Sequence, residues 1–213
     1  RLCLDFDHPN LVRVFEVDRN DTAGFMVMEY LPLAGTDTLL ADPALDTAMA
    51  LSIIRQAAQA LCYIHDKGIV HRDVKLSNLL VRSVDPGGGI EVALSDFGIS
   101  RDLKQEGLTV VGTRMGTEFY CAPEQQQAPE KVDQRADIYS LGVCLYRLFS
   151  RTHYPAGNFP AISECCPDAP DGLDDLAMVC LENDPRDRLA SARDFLSALD
   201  RLAPAAGPQH KGD

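Results

Sequence analysis

The pattern of apolar and polar residues first predicts a small sheet near the start of the chain. Residues 12–17 and 24–31 are rich in β-branched and aromatic side chains, and the polar sequence DRND at 18–21 separates them. Such segments favour strands, and a short polar segment between them is typical of a turn. The sequence therefore predicts two neighbouring strands within the first 31 residues.

Helical periodicity dominates much of the remaining chain. Between residues 46 and 67 apolar side chains recur every three to four positions, and Gly68 follows as a stop signal. Residues 136–149 are apolar on nearly every side, which is typical of a helix buried in the centre of a domain. Two further helices are predicted at 172–182 and 191–202.

A hairpin and a long loop are predicted in the middle of the chain. Two apolar runs at 78–81 and 90–94 flank the sequence SVDPGGG, which is typical of a β-hairpin. Residues 96–124 contain four glycines and no sustained periodicity, so we expect one long loop there. Loops of this length inside a compact domain are usually functional or disordered.

Composition and charge exclude some classes of partner. With 46% hydrophobic and 24% charged residues the chain is an ordinary globular sequence, and its formal net charge of −12 disfavours non-specific binding to nucleic acid or anionic membranes. No apolar stretch approaches the roughly 18 residues that span a bilayer. The seven cysteines form no CxxC pair. We therefore expect reduced cysteines, a cytoplasmic location, no nucleic-acid partner and no membrane segment.

A group of polar residues interrupts an apolar part of the chain: His71, Arg72, Asp73, Lys75 and Asn78. If the predicted hairpin forms, Asn78 and Asp96 lie at the same end of it, and their oxygens suit Mg²⁺, which takes few protein ligands besides phosphate oxygens. Asp73 can accept a proton from an attacking hydroxyl, and Lys75 can offset charge on a phosphoryl group. The pattern favours phosphoryl transfer.

Three motifs in this order resemble those of eukaryotic-like Ser/Thr protein kinases: HRDVKLSN at 71–78, DFG at 96–98 and APE at 122–124. In that family they are the catalytic loop, the metal-binding motif and the end of the activation segment. The similarity continues through HPN at 8–10, VMEY at 27–30, DIYSLG at 137–142 and DPRDR at 184–188. It extends from Arg1 to about Leu202, and the run from APEQ at 122–125 to VDQRADIYSLG at 132–142 is similar to bacterial members.

The resemblance implies an α+β, protein-kinase-like fold, mainly helical, with remnant strands of the small lobe. Residues 1–202 would form a partial kinase domain, with 1–28 as the remnant of the small lobe, 29–34 as the hinge and 35–202 as the helical large lobe, followed by a flexible tail at 203–213. The Gly-rich loop, strand lysine and helix glutamate of the family have no counterpart in this sequence. Because the sequence begins at Arg1, we expect the missing small-lobe segment upstream.

The resemblance also implies roles for individual residues around ATP and Mg²⁺. Asp73 corresponds to the catalytic base, Lys75 to the cation that faces phosphate, and Asn78 and Asp96 to the metal ligands. Thr117 corresponds to the threonine that packs beside the catalytic Asp and Lys, which favours Ser/Thr substrates.

The predicted adenine site lies at the hinge. Met28 corresponds to the gatekeeper, the backbone of Glu29 and Leu31 is expected to contact adenine, and Leu80 is expected to form its apolar floor.

The resemblance implies structural or regulatory roles for a further set of residues: His71, Arg72, Phe97, Gly98, Thr109, Thr113, Glu124, Asp137 and Arg188. In the family the counterparts of Glu124 and Arg188 form a buried ion pair, and that of Asp137 anchors the backbone of the catalytic loop. Arg72 beside Asp73 suggests control by phosphorylation of Thr109 or Thr113.

The leading hypothesis is therefore ATP-dependent phosphorylation of serine or threonine in protein substrates. One alternative is a pseudokinase or regulatory binding fragment without catalysis, and another is a small-molecule phosphotransferase of the aminoglycoside type. The presence of Asp73, Asn78 and Asp96 argues against the first. The APE motif and the sequence GTEFY at 116–120 argue against the second.

Overall fold

Two small antiparallel sheets and six helices make up the part of the chain that the computed structural model describes, residues 5–19, 24–96, 117–152 and 160–202. The strands are β1 (Val14–Arg19), β2 (Gly24–Met28), β3 (Leu79–Val84) and β4 (Ile90–Leu94). The helices are α1 (Thr47–His65), α2 (Pro123–Gln127), α3 (Arg135–Ser150), α4 (Ile162–Cys165), α5 (Leu173–Cys180) and α6 (Ala192–Arg201). Short 3₁₀ turns connect several of them. The predicted α+β class is confirmed.

The first sheet pairs β1 with β2, as the sequence predicts, although β1 begins at Val14 rather than at residue 12. Val14 lies opposite Met28, and a bulge follows Val14. The segment before β1 instead pairs with the end of β4, because the N–H of Val12 donates to the Leu94 carbonyl at 3.0 Å. This pairing joins the first sheet to the hairpin.

The second sheet is the predicted hairpin of β3 and β4. Leu79 lies opposite Leu94, and Val84 lies opposite Ile90. Gly88 has a φ of 85° in the connecting turn, a conformation that glycine adopts without strain. Strand β3 continues beyond the predicted end at residue 81, because Ser83 pairs with Glu91 and its Oγ donates to Glu91 Oε2 at 3.1 Å.

Helix α1 confirms the predicted long amphipathic helix. The carboxylate of Asp46 caps its N-terminus by accepting from the Met49 N–H at 2.7 Å, and Gly68, with a φ of 74°, follows its end. Its apolar face, including Ile53 and Leu61, is fully buried against β4, α3 and α6.

Helix α3 is the buried central helix that its apolar sequence predicts. Nearly all its side chains are buried, including Ile138 and Leu145. Gly142 allows α5 to approach closely, since a Cβ at this position would lie only 2.6 Å from the Cβ of Cys180. Burial on all sides places the centre of the core at α3.

The prediction of one loop over 96–124 is wrong at its C-terminal end. A 3₁₀ turn occupies Thr117–Tyr120, and α2 begins at Pro123. Capping rather than periodicity forms α2, because Gln125 Oε1 accepts from the Ala122 N–H at 3.0 Å. The sequence pattern also misses the short helix α4. A helix of one or two turns has too few residues to show a period.

The remainder of the predicted loop and the predicted tail, residues 97–116 and 203–213, lie outside the described residues. Among the residues that are described, no helix is both long and apolar enough to cross a membrane.

Candidate active site

The polar residues after α1 form one hydrogen-bonded cluster around Asp73. Its Oδ2 accepts from Lys75 Nζ at 2.8 Å and from Asn78 Nδ2 at 3.0 Å. Asn78 Nδ2 also donates to the Asp73 carbonyl at 2.8 Å. The Asp73 side chain is 32% exposed, and its Oδ1 has no hydrogen-bond partner in the described parts of the chain. The carboxylate is thus fixed through one oxygen and open to a substrate through the other.

His71 lies fully buried beneath this cluster. Its Nδ1 accepts from the Asp73 N–H at 3.2 Å, so Nε2 carries the hydrogen and donates to the Ser95 carbonyl at 3.0 Å. Burial lowers the pKa of His71, which favours this neutral form. His71 therefore connects the backbone of Asp73 to the end of β4 and is too enclosed to exchange protons with a substrate.

Asp137, at the start of α3, anchors the backbone that precedes Asp73. Its carboxylate is fully buried and accepts from the N–H groups of His71 and Arg72 at 2.8 and 2.7 Å. Arg72 has a φ of 67°, a left-handed conformation that costs free energy in a non-glycine residue. Asp137 holds this strained residue in place, and the polar contacts explain how a carboxylate tolerates full burial.

His65 is a site residue that the sequence analysis misses. Its Nε2 lies 2.8 Å from Asp137 Oδ2, which places the last residue of α1 beside the catalytic loop. His65 is the last residue of this amphipathic helix and lies 72 positions before Asp137. A contact over this separation leaves no local sequence signal.

The two predicted metal ligands lie at the same end of the hairpin. The N–H and Oγ of Ser95 both donate to the Asn78 carbonyl, at 2.8 and 3.0 Å, and Asp96 follows Ser95. The Asn78 amide nitrogen bonds to Asp73, which leaves Oδ1 as its available ligand atom. The carboxylate of Asp96 is exposed, and its φ of 59° turns the chain at the end of β4.

Asn78 and Asp96 fit Mg²⁺, which needs few protein ligands, and do not fit an ion that the protein encloses completely. Both available groups are oxygen donors, and the described residues contain no cluster of three or more His, Cys, Asp or Glu side chains that could enclose an ion. Mg²⁺ commonly takes one or two protein ligands and completes its shell with water and phosphate oxygens.

The predicted hinge runs along β3. Met28 ends β2, the N–H of Glu29 donates to the Arg13 carbonyl at 2.8 Å, and the side chain of Leu31 is half-buried. Further on, Gly35 forms a backbone bridge with Leu80, whose side chain is also half-buried. The predicted hinge and the predicted floor are therefore neighbours in the structure.

Glu124 and Arg188 form a bidentate ion pair, with Nη1–Oε1 and Nη2–Oε2 distances of 2.7 and 2.8 Å. The Arg188 side chain is fully buried, and its other N–H groups donate to the carbonyls of Glu182, Asn183 and Arg135. The ring of Tyr139 lies 4.9 Å from the guanidinium carbon. Every face of the buried cation is therefore compensated, and the pair joins α2 to the segment before α6.

Two more contacts from the segment 117–127 support the catalytic loop. Gln125, which the sequence analysis misses, is buried and donates through Nε2 to the Arg72 carbonyl at 2.9 Å. The hydroxyl of Tyr120, which lies near the backbone of Leu76, receives a hydrogen bond from the guanidinium of Arg147. Burial raises the pKa of Tyr120, so the phenol is neutral.

Some predicted residues fall outside the part of the chain that the structure describes. These are Phe97, Gly98, Thr109 and Thr113, and only the backbone of Thr117 is described, at the start of its 3₁₀ turn.

A cavity of about 630 Å³ lies apart from the groups around Asp73. Its lining includes Phe6, Asn10, Phe15, Glu29 and Arg82, and does not include Asp73, Lys75, Asn78 or Asp96.

Comparison with known proteins identifies the class to which this fold and site belong. The model of the protein kinase domain family matches residues 1–198. The chain is a member of the protein kinase domain family, and the predicted resemblance is confirmed.

Bacterial serine/threonine-protein kinases are among the relatives of this chain. The chain is 33% identical over 210 residues to the serine/threonine-protein kinase PknJ of Mycobacterium tuberculosis, covering 90% of this chain and 35% of PknJ. It is 30% identical over 212 residues to the probable serine/threonine-protein kinase CPE1738 of Clostridium perfringens, covering 93% and 30%. The chain thus spans about a third of the length of these curated relatives.

A solved structure supports the same assignment of the fold. The kinase domain of Mycobacterium tuberculosis PknI, crystallised as a mutant with one substitution, superposes with a TM-score of 0.73 at 28% identity. The match covers 94% of this chain and 74% of that domain.

Proposed function

We propose that this protein transfers the γ-phosphoryl group of ATP to serine or threonine hydroxyls of protein substrates. The observation that carries the proposal is the cluster of Asp73, Lys75 and Asn78, in which one carboxylate oxygen is fixed and the other is free. Membership of the protein kinase domain family and the names of the relatives support the same activity.

Asp73 is the group that orients the acceptor. Its free Oδ1 accepts a hydrogen bond from the substrate hydroxyl and takes the proton as the oxygen attacks the γ-phosphorus. The bond between the γ-phosphorus and its bridging oxygen breaks, and ADP leaves with the bond electrons. Because Lys75 and Asn78 hold Oδ2, the carboxylate cannot rotate away from the hydroxyl. The ammonium of Lys75 also offsets negative charge on the transferred group.

Asn78 and Asp96 would hold the catalytic Mg²⁺ through Oδ1 and the carboxylate. When bound, the ion neutralises charge on the ATP phosphates. The chain supplies a fixed platform for these ligands, because Ser95 locks the ends of β3 and β4 together.

The predicted hinge supplies the adenine site in this proposal. Met28 is the gatekeeper, the backbone of Glu29 and Leu31 contacts adenine, and Leu80 forms the floor. The bridge between Gly35 and Leu80 supports this arrangement, because it fixes the hinge beside the floor. The corresponding division is 1–28 for the small lobe, 29–34 for the hinge and 35–202 for the large lobe.

Two further roles belong to the proposal. Thr117 contacts the catalytic Asp and Lys, and phosphorylation of Thr109 or Thr113 orders the segment around Arg72. A cytoplasmic location also belongs to the proposal, since buried thiols such as those of Cys144 and Cys180 suit a reducing compartment.

The test is phosphoryl transfer from labelled ATP in the presence of Mg²⁺ by the full-length protein. A library of peptides containing serine or threonine is compared with the same library carrying alanine at those positions. We expect phosphoserine or phosphothreonine in the first library and no label in the second. Label on tyrosine or on an aminoglycoside, or no transfer to any acceptor, would contradict the proposed function.

A further inference from the structure

An ion pair outside the catalytic cluster connects the predicted hinge to β3. Glu29 follows directly after β2, and Arg82 lies on β3. Nη1 of Arg82 hydrogen-bonds to Oε1 of Glu29, and Nη2 donates to Oε2 at 3.1 Å. Only 26% of the Glu29 side chain and 27% of the Arg82 side chain are exposed. The hydrogen bond from Arg82 lowers the pKa of Glu29 and keeps the carboxylate charged.

The same two side chains also hold the segment before β1. Nη2 of Arg82 lies 3.4 Å from the Leu11 carbonyl, and the N–H of Arg13 donates to Glu29 Oε2 at 3.4 Å. The pair therefore ties together three parts of the chain that are distant in sequence. Nε of Arg82 is buried without a partner in the described part of the chain, so the guanidinium is held through its two terminal nitrogens.

The hinge is fastened to β3 at both of its ends. At the far end the fastening is backbone, since the Val81 N–H donates to the Ala34 carbonyl at 3.2 Å and Gly35 bridges Leu80. At the near end it is the side-chain pair of Glu29 and Arg82. Leu80 precedes Arg82 by two residues on the same strand. A change at Arg82 thus releases one end of the hinge and leaves the other end and the catalytic cluster in place.

We infer that Arg82 is a positioning residue for the nucleotide, because its pairing with Glu29 sets the separation between the hinge backbone and Leu80. This inference rests on the proposed function, in which adenine binds between those two elements. Among the described residues, Arg82 bonds to Glu29 and Leu11 and not to the groups around Asp73. Its effect therefore falls on nucleotide affinity and not on the chemical step.

The test replaces Arg82 in the full-length protein and measures nucleotide binding separately from transfer. Arg82→Met keeps the length of the side chain and removes the charge. The matched control is Arg55→Met, which removes an arginine from an exposed pair with Asp200, between α1 and α6. The dissociation constant of adenosine, which has no phosphate and needs no metal, is measured by NMR titration. The KM for ATP, the KM for peptide, kcat and the melting temperature are measured in parallel.

We expect Arg82→Met to weaken adenosine binding and raise the KM for ATP on the order of fivefold, a typical size for coupling between neighbouring elements. Its kcat and peptide KM should match those of Arg55→Met. Glu29→Gln should weaken adenosine binding to the same extent. The double variant should bind adenosine as well as Arg82→Met alone does, because both substitutions break the same interaction. Arg82→Lys, which keeps the charge but loses the paired geometry, should show a smaller effect and covers the case in which Arg82→Met does not fold.

Unchanged adenosine affinity in folded Arg82 variants would overturn the inference. A fall in kcat and melting temperature together with a rise in peptide KM would also overturn it, since these changes would show a general structural role. Wild-type protein that binds adenosine but transfers no phosphate would instead contradict the proposed function, while the adenosine titrations would still decide the role of Arg82. Wild-type protein that binds no adenosine would contradict both.

Discussion

The catalytic loop, residues 71–78, and the sheet of β1 and β2 differ in how completely the rest of the described chain supports them. Backbone groups of the loop are held by side chains from α2 and α3, through Gln125 and Asp137. The sheet instead exposes Phe15 and Phe25, at 58% and 49%. The groups around Asp73 are thus held from several sides by helices and by the hairpin, whereas the sheet leaves large apolar side chains exposed.

The two regions also differ in whether their important side chains are buried polar groups or exposed apolar ones. Around the catalytic loop and α2, the carboxylate of Asp137 and the guanidinium of Arg188 are fully buried and fully hydrogen-bonded. Such groups are costly when they lose one partner, because the remaining charge or N–H is left without water. Variants of the loop region should therefore have large effects, and variants of the exposed sheet should have small ones.

The largest effect on stability is expected for Arg188→Ala. Removal of the guanidinium leaves the Glu124 carboxylate and three backbone carbonyls without their donor, which should cost roughly 3–5 kcal/mol. Arg193→Ala is the matched control, since its pair with Asp66 is exposed and should contribute less than about 1 kcal/mol. Urea unfolding of both variants measures the difference. Equal losses in the free energy of unfolding would show that the buried pair stabilises the fold no more than the exposed pair does.

A smaller effect is expected for Asp137→Asn. The substitution keeps the size of the side chain but replaces one acceptor oxygen with a donor, which should cost roughly 1–3 kcal/mol of stability. Because Asp137 holds the backbone of His71 and Arg72, kcat should fall while adenosine affinity changes little. Asp200→Asn, on the exposed face of α6, is the control. A wild-type kcat in the Asp137 variant would contradict the claim that Asp137 positions the catalytic loop.

The smallest effect is expected for Phe15→Thr combined with Phe25→Thr in the isolated 213-residue chain. Threonine retains strand propensity, and both phenylalanines are exposed, so the free energy of unfolding should change by no more than about 0.5 kcal/mol per site. Self-association should decrease, because two exposed apolar side chains are removed. Urea unfolding and sedimentation velocity check the two results. A stability loss as large as that of Asp137→Asn would show that these side chains are buried.

The sequence predicts the elements whose signals are local. Periodicity finds α1 and α3, and turn residues between apolar runs find the hairpin of β3 and β4. The placement of Asn78 beside Ser95 and Asp96 follows from the register of that hairpin. Helix α2 escapes prediction because a side-chain cap forms it.

The contacts that support the site are harder to predict. His65 contacts Asp137, Gln125 contacts the carbonyl of Arg72, and Arg82 reaches Glu29 across 53 positions. Each of these residues looks ordinary within its own segment. Only the packing of the helices and the hairpin brings them together, so the sequence shows the reacting groups and not the groups that hold them.

The most direct test of the account is the effect of Asp73→Asn on transfer and on nucleotide binding in the full-length protein. The amide keeps the size and the contacts to Lys75 and Asn78 but cannot take the proton of the hydroxyl. We therefore expect kcat to fall roughly 10²–10⁴-fold while the affinity for adenosine stays at the wild-type value. Near wild-type turnover at saturating Mg²⁺ and ATP would contradict the assignment of Asp73 as the base.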